Sequence, residues 1–264
     1  MMSLGAGAVR PLMVRFAGCF SKERWTMPSA AHSLDQFVRF VVLRYMPAFL
    51  AIAALVLFGA AADVPTSDRW EQAIKKFEDA DKQQPPPQHA TVFVGSSSIA
   101  MWDVQKSFPD LALIKRGFGG SLFRDAAYYA GRIVIPYKPS TVVVYAGDND
   151  LAIGITADGV FADFKSFAEK VRGALPDTRI VVLSIKPSIK RWHLYDDQKK
   201  ANKLIEDYTK SHANMLFVDV GTCLLGADGK PRADLLVEDG LHLNDEGYKL
   251  WAAVLAPILV EKKS

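Results

Sequence analysis

The chain has 264 residues, of which 50% are hydrophobic and 23% charged, with a formal net charge of +3. That much apolar material excludes a wholly disordered or collagen-like chain and is enough for one large domain or two small ones. The positive charge is concentrated at the front: residues 1–62 hold six Lys/Arg against two acids, leaving 26 basic and 27 acidic residues in positions 63–264. A nucleic-acid or anionic-surface partner therefore has no support in the body of the chain.

Residues 1–62 read as a leader. Arg39 and Arg44 precede Met46 to Ala62, a run without any charge that ends in Gly59-Ala60-Ala61-Ala62. A basic flank, an apolar stretch and small residues at an A-x-A site describe a secretory signal peptide, with Ala62 the last residue removed. The competing reading is a retained membrane tether through residues 45–62, which just reaches spanning length. Pro47 and the small-residue end favour cleavage, and either reading places the following domain outside the cytoplasm, periplasmic or secreted. Cleavage also removes Cys19 and leaves Cys223 alone, so the remaining chain is expected to rely on an ordinary core rather than a disulfide. Cys223 itself follows an apolar run and reads as a small buried hydrophobe.

Residues 63–89 read as an N-terminal helix with a connector. Ser67 to Ala80 carries Trp70, Ala73, Ile74 and Phe77 at helical spacing, and Pro85-Pro86-Pro87 stops it. Residues 90–264 read as the main domain. Short apolar runs at Thr91–Val94, Leu111–Ile114, Thr141–Tyr145, Ile180–Ile185 and Leu216–Val220 alternate with amphipathic segments. One such segment carries Phe161, Phe164, Phe167, Ala168 and Val171, and the last carries Trp251, Val254, Leu255 and Ile258 around Pro257. Five alternations of strand and helix predict an α/β fold, a three-layer α/β/α sandwich around a central five-stranded, mainly parallel sheet. In such folds reactive groups sit on loops leaving the carboxyl ends of the strands.

Four segments stand at such places. Gly95-Ser96-Ser97-Ser98-Ile99 follows the first strand, where a serine on a tight turn can be exposed beside backbone donors, although the same run also suits a helix cap. Gly117-Phe118-Gly119-Gly120 follows the second strand, where glycine lets an N–H approach a ligand. Gly147-Asp148-Asn149-Asp150 ends the third; it is either a plain turn or a side-chain amide donor with acids holding the loop. Asp239-Gly240-Leu241-His242 precedes the last helix, and an acid three residues before a histidine can fix its tautomer for proton transfer. Arg191-Trp192-His193-Leu194-Tyr195 follows the fourth strand and either borders a pocket with aromatic surface or simply enters a helix. His89, His193 and His212 show no metal-ligand spacing with one another or with Cys223, and no cofactor is called for.

Taken in order, the serine, glycine, asparagine and Asp-x-x-His segments resemble the SGNH, or GDSL-like, hydrolase family over nearly all of residues 90–262. The resemblance implies a flavodoxin-like sheet and a catalytic serine, Ser97, with Asp239 and His242. It implies an oxyanion hole from the N–H groups of Ser97 and Gly120 and the amide of Asn149. Ser96 stands where the family's first block usually has Asp, and Ser98 is the fallback nucleophile. The expected activity is hydrolysis of a carboxylic ester on a small molecule, glycan or lipid. A catalytically silent domain that binds an acylated sugar or lipid is the alternative. Phosphate binding at the glycine and serine loops finds no Gly-rich Lys-Ser/Thr motif to support it.

Overall fold

The computed structural model describes residues 66–259, and the leader and its cleavage or tether reading lie outside them. Five strands, β1 (Thr91–Gly95), β2 (Leu113–Gly117), β3 (Thr141–Tyr145), β4 (Arg179–Leu183) and β5 (Met215–Val218), form one sheet in the order β2-β1-β3-β4-β5. Every neighbouring pair is parallel, with Thr91 in register with Leu113 and Thr141, Thr141 with Arg179, and Ile180 with Met215. The sheet is therefore wholly parallel, with helices covering both faces.

The two-residue period of a strand sorts the apolar side chains between two cores. Val92, Val94, Val142, Val144, Ile180 and Val182 point into one, beneath α1 (Glu71–Gln83), α4 (Phe123–Ile133), α6 (Ala157–Ala174) and α7 (Tyr195–Lys210). Phe93, Val143, Tyr145, Val181 and Leu183 point into the other, beneath α2 (Ser97–Met101), α3 (Val104–Ser107) and α8 (Asp245–Leu259). The short α5 (Asp148–Ala152) caps the end of β3. Trp102, Tyr248 and Trp251 seal the second core, with Trp102 stacked on Tyr248 and edge-on to Trp251. No helix of the described residues is long and apolar enough to cross a membrane.

The first helix differs from expectation in its start and end. Ser67–Trp70 is a 3₁₀ turn, and α1 then runs from Glu71 to Gln83, two residues before Pro85. Its Ile74 is fully buried in the first core. The helix is held to α4 by Arg132, whose guanidinium donates to Glu71 and Glu78 at 2.7 Å each. The second strand also differs: it spans Leu113–Gly117 rather than 111–114, so it includes Lys115 and Arg116. A strand at the sheet edge tolerates such residues because it lacks a neighbour on one side. Lys115 Nζ donates to the carbonyls of Ala100 and Trp102, and Arg116 pairs with Asp81 and Tyr137. Pro257 lies inside α8 without ending it before Leu259.

Candidate active site

All four singled-out segments meet at the carboxyl ends of β1, β2 and β3 and at the loop before α8. The chain turns sharply after β1 because Gly95 adopts φ +139 and because a Cβ there would lie 1.9 Å from the Tyr145 carbonyl oxygen. That close approach requires glycine. Of the three serines that follow, Ser96 and Ser98 are buried and Ser97 is half-buried. Ser97 opens α2, where first-turn N–H groups have no intrahelical acceptor. Ser96, at the place of the family's aspartate, donates its N–H to the Tyr145 carbonyl while its hydroxyl finds no partner.

Ser97 Oγ lies 2.9 Å from His242 Nε2, and His242 Nδ1 lies 2.5 Å from Asp239 Oδ2. A carboxylate only accepts, so Nδ1 carries the proton and Nε2 is left to accept from the Ser97 hydroxyl. The other carboxylate oxygen, Asp239 Oδ1, receives the N–H groups of Leu241 at 2.8 Å and His242 at 3.0 Å. Partial burial opposes its ionisation. The N–H and imidazole bonds outweigh that and hold the carboxyl well below the usual carboxylate range. The loop is closed by Val237 N–H donating to the His242 carbonyl and by the Leu236–Leu243 bridge.

The glycine and asparagine segments lie beside this chain of bonds. A Cβ built on Gly119 would stand 3.7 Å from the Ser97 Cβ, which sets the Gly119–Gly120 loop against the serine. Gly120 has φ +81, a left-handed conformation that glycine adopts without strain. Asn149 Nδ2 donates to the Ser121 carbonyl at 3.1 Å, and Asn149 Oδ1 accepts from Arg191 at 2.9 Å. Only one orientation of the amide satisfies both partners, and it leaves the second N–H of Nδ2 for another acceptor.

Several groups that support these residues were not read from the sequence. Arg191 was singled out only as a neighbour of an aromatic pair, and Trp192 does stack on Tyr195 at 4.5 Å. Its guanidinium, however, reaches back to Asn149 and to the buried carboxylate of Asp148, 2.9 Å away. Lys186, fully buried in the loop after β4, donates to the Leu241 carbonyl at 2.5 Å, one residue before His242. Burial lowers the pKa of this ammonium, and nearby Asp148 opposes that shift. Asp150 ties two loops together, accepting from Phe123 N–H and Gly147 N–H at 3.0 Å each. Its burial pushes its pKa up to about 7 against the pull of the Phe123 N–H. None of these contacts has a short sequence spacing, apart from Asp150 with Gly147, so no local pattern could reveal them.

A cleft of about 410 Å³ opens elsewhere, at the carboxyl ends of β4 and β5 beside Tyr195, Asn202 and Asp219. Its polar groups serve the loops: Asn202 bonds both the N–H and carbonyl of Ile185, and Asp219 accepts from Gly221, Thr222 and Ser184. That cleft contains no serine–histidine pair, whereas the Ser97 site has the geometry for acyl transfer.

Comparison with known proteins agrees with that chemistry. The model of the GDSL-like lipase/acylhydrolase family matches residues 97–250, more than half of the chain. Platelet-activating factor acetylhydrolase IB subunit alpha1 of Bos taurus is 26% identical over 195 residues, covering 70% of this chain and 80% of that protein. A GDSL-like lipase of Bacteroides thetaiotaomicron superposes with a TM-score of 0.60 at 23% identity, over 70% of this chain and 96% of that chain. A carbohydrate esterase family 3 protein of Talaromyces cellulolyticus does so with a TM-score of 0.51 at 22% identity, over 65% and 97%. The chain belongs to the GDSL-like lipase/acylhydrolase family and is a hydrolase acting on ester bonds.

Proposed function

We propose that the protein is an extracytoplasmic serine esterase in which Ser97, His242 and Asp239 form the catalytic triad. The observation that carries this reading is the unbroken series Asp239 Oδ2, His242 Nδ1, His242 Nε2, Ser97 Oγ at 2.5 and 2.9 Å. His242 Nε2 takes the Ser97 proton as Oγ attacks the ester carbonyl. The negative charge that develops on the carbonyl oxygen is received by the N–H groups of Ser97 and Gly120 and by Asn149 Nδ2. Collapse of this intermediate breaks the bond to the alcohol, which leaves with the proton from His242. Water, deprotonated by the same nitrogen, then attacks the acyl-serine and releases the carboxylic acid and free Ser97.

The substrate is proposed to be a short-chain ester carried on a small molecule, glycan or lipid. The acetylhydrolase name of the curated relatives makes an acetyl ester the first to test. The extracytoplasmic setting rests on the charge and apolar pattern of residues 39–62. In the full chain, Ser97→Ala and His242→Ala are expected to lower kcat for p-nitrophenyl acetate by about 10³-fold or more while circular dichroism stays unchanged. Wild-type turnover in Ser97→Ala contradicts the assignment of the nucleophile.

A further inference from the structure

The oxyanion loop is braced by residues that precede the segment matched by the family model. The 3₁₀ turn Ser67–Trp70 converges on one fully buried carboxylate, Asp125, in the first turn of α4. Asp125 Oδ1 accepts from Ser67 Oγ at 2.6 Å. Asp125 Oδ2 accepts from Trp70 Nε1 at 3.1 Å, Arg69 at 3.4 Å and the N–H of Leu122 at 2.9 Å. Leu122 is two residues after Gly120, so the carboxylate joins the N-terminal turn directly to the loop that carries the glycine.

The same turn also touches Gly120 itself. Trp70 Cη2 lies 3.3 Å from where a Gly120 Cβ would be, and Arg69 reaches the Gly120 carbonyl at 3.5 Å. The indole packs edge-on against Phe118, two residues before Gly120, with ring centroids 5.8 Å apart. A glycine at positive φ has little conformational preference of its own, so its peptide orientation depends on what surrounds it. Here the surroundings are an indole on one side and a carboxylate anchor two residues on.

We infer that Ser67, Trp70 and Asp125 are positioning residues, a strut that holds the Gly120 peptide in the orientation needed to donate to the oxyanion. The inference rests on the role proposed above for Gly120. Its consequence is kinetic: donors fixed before reaction stabilise the transition state more than the bound ester, so a loosened strut lowers kcat and leaves KM nearly constant.

The test compares two anchors of the same N-terminal segment in the full chain. W70F keeps an aromatic ring but removes the indole N–H that bonds Asp125. Arg132→Gln breaks the Glu71 and Glu78 pairs of α1 without touching the loop. With p-nitrophenyl acetate, W70F is expected to lose about tenfold in kcat with KM within about twofold, the scale expected for a modest misplacement of a catalytic donor. Arg132→Gln is expected to melt at a lower temperature yet keep kcat within about twofold, because exposed and half-exposed ion pairs affect stability rather than the donor. Wild-type kcat in W70F, or an equal loss of rate in Arg132→Gln, overturns the strut. If W70F does not fold, Ser67→Ala is measured in its place with the same expectations. Ser97→Ala run alongside separates the failures: an active Ser97→Ala removes the proposed triad on which the strut rests, whereas an inactive one with full rate in W70F removes only the strut.

Discussion

His242 is gripped at both ring nitrogens, by Asp239 and by Ser97, while Lys186 holds the carbonyl of the residue before it. The Asp239–His242 half of this arrangement was legible in the sequence because three residues of spacing bring an acid within reach of a ring in a tight turn. Ser97 follows from the family resemblance with Ser98 as the fallback; in the fold Ser98 is buried, and it is Ser97 Oγ that lies 2.9 Å from His242 Nε2. Arg191 was not legible as a partner of Asn149, since 42 residues separate them and the contact exists only once β3 and β4 lie side by side. Arg191→Gln is expected to lower kcat on the order of tenfold by freeing the Asn149 amide. It also leaves the Asp148 carboxylate buried and unpaired, a change that costs about 3–5 kcal/mol in comparable buried pairs. The double variant Arg191→Gln/Asp148→Asn is expected to regain much of the stability but not the rate, as read by thermal melts and steady-state kinetics. Recovery of both in the double variant contradicts a positioning role for Arg191.

At the scale of elements, the central strands were legible because Val, Ile and Leu run without polar interruption where both faces are buried. β3 matches its expected range throughout, and β1 gains only Gly95. β2 departs from its expected range because an edge strand with Lys115 and Arg116 does not look like a buried one. The short helices α2 and α3 carry too few turns to leave a periodic signal. Asp150 couples two elements, the start of α4 and the turn into α5, and its titration makes that coupling depend on pH. With a folded pKa of about 7 and an unfolded value of about 3.9, the folded state retains a proton that the unfolded chain releases. This contribution to stability is therefore full below about pH 4 and declines as pH rises to 7. The melting temperature of wild type minus that of Asp150→Asn is expected to fall between pH 4 and 7, and a constant or rising difference contradicts the shift.

For the molecule as a whole, the net charge of +3 conceals two unlike parts, a basic segment at 1–62 and a remainder with a net charge of −1. In the described remainder, α1 is not an appendage: Ile74 enters the main core and the turn before it reaches Asp125 and the Gly117–Gly120 loop. The sequence suggested a helix there but not its partners, since Ser67 and Asp125 are 58 residues apart. Family membership establishes an ester hydrolase; the assignment of Ser97 as its activated nucleophile is the claim on which the mechanism depends. Labelling with a fluorophosphonate probe, followed by peptide mass spectrometry, tests it most directly. The account predicts one adduct per chain, on Ser97, abolished in Ser97→Ala and strongly slowed in His242→Ala. An adduct on Ser98 or another serine, or no labelling of a folded wild-type chain, contradicts it.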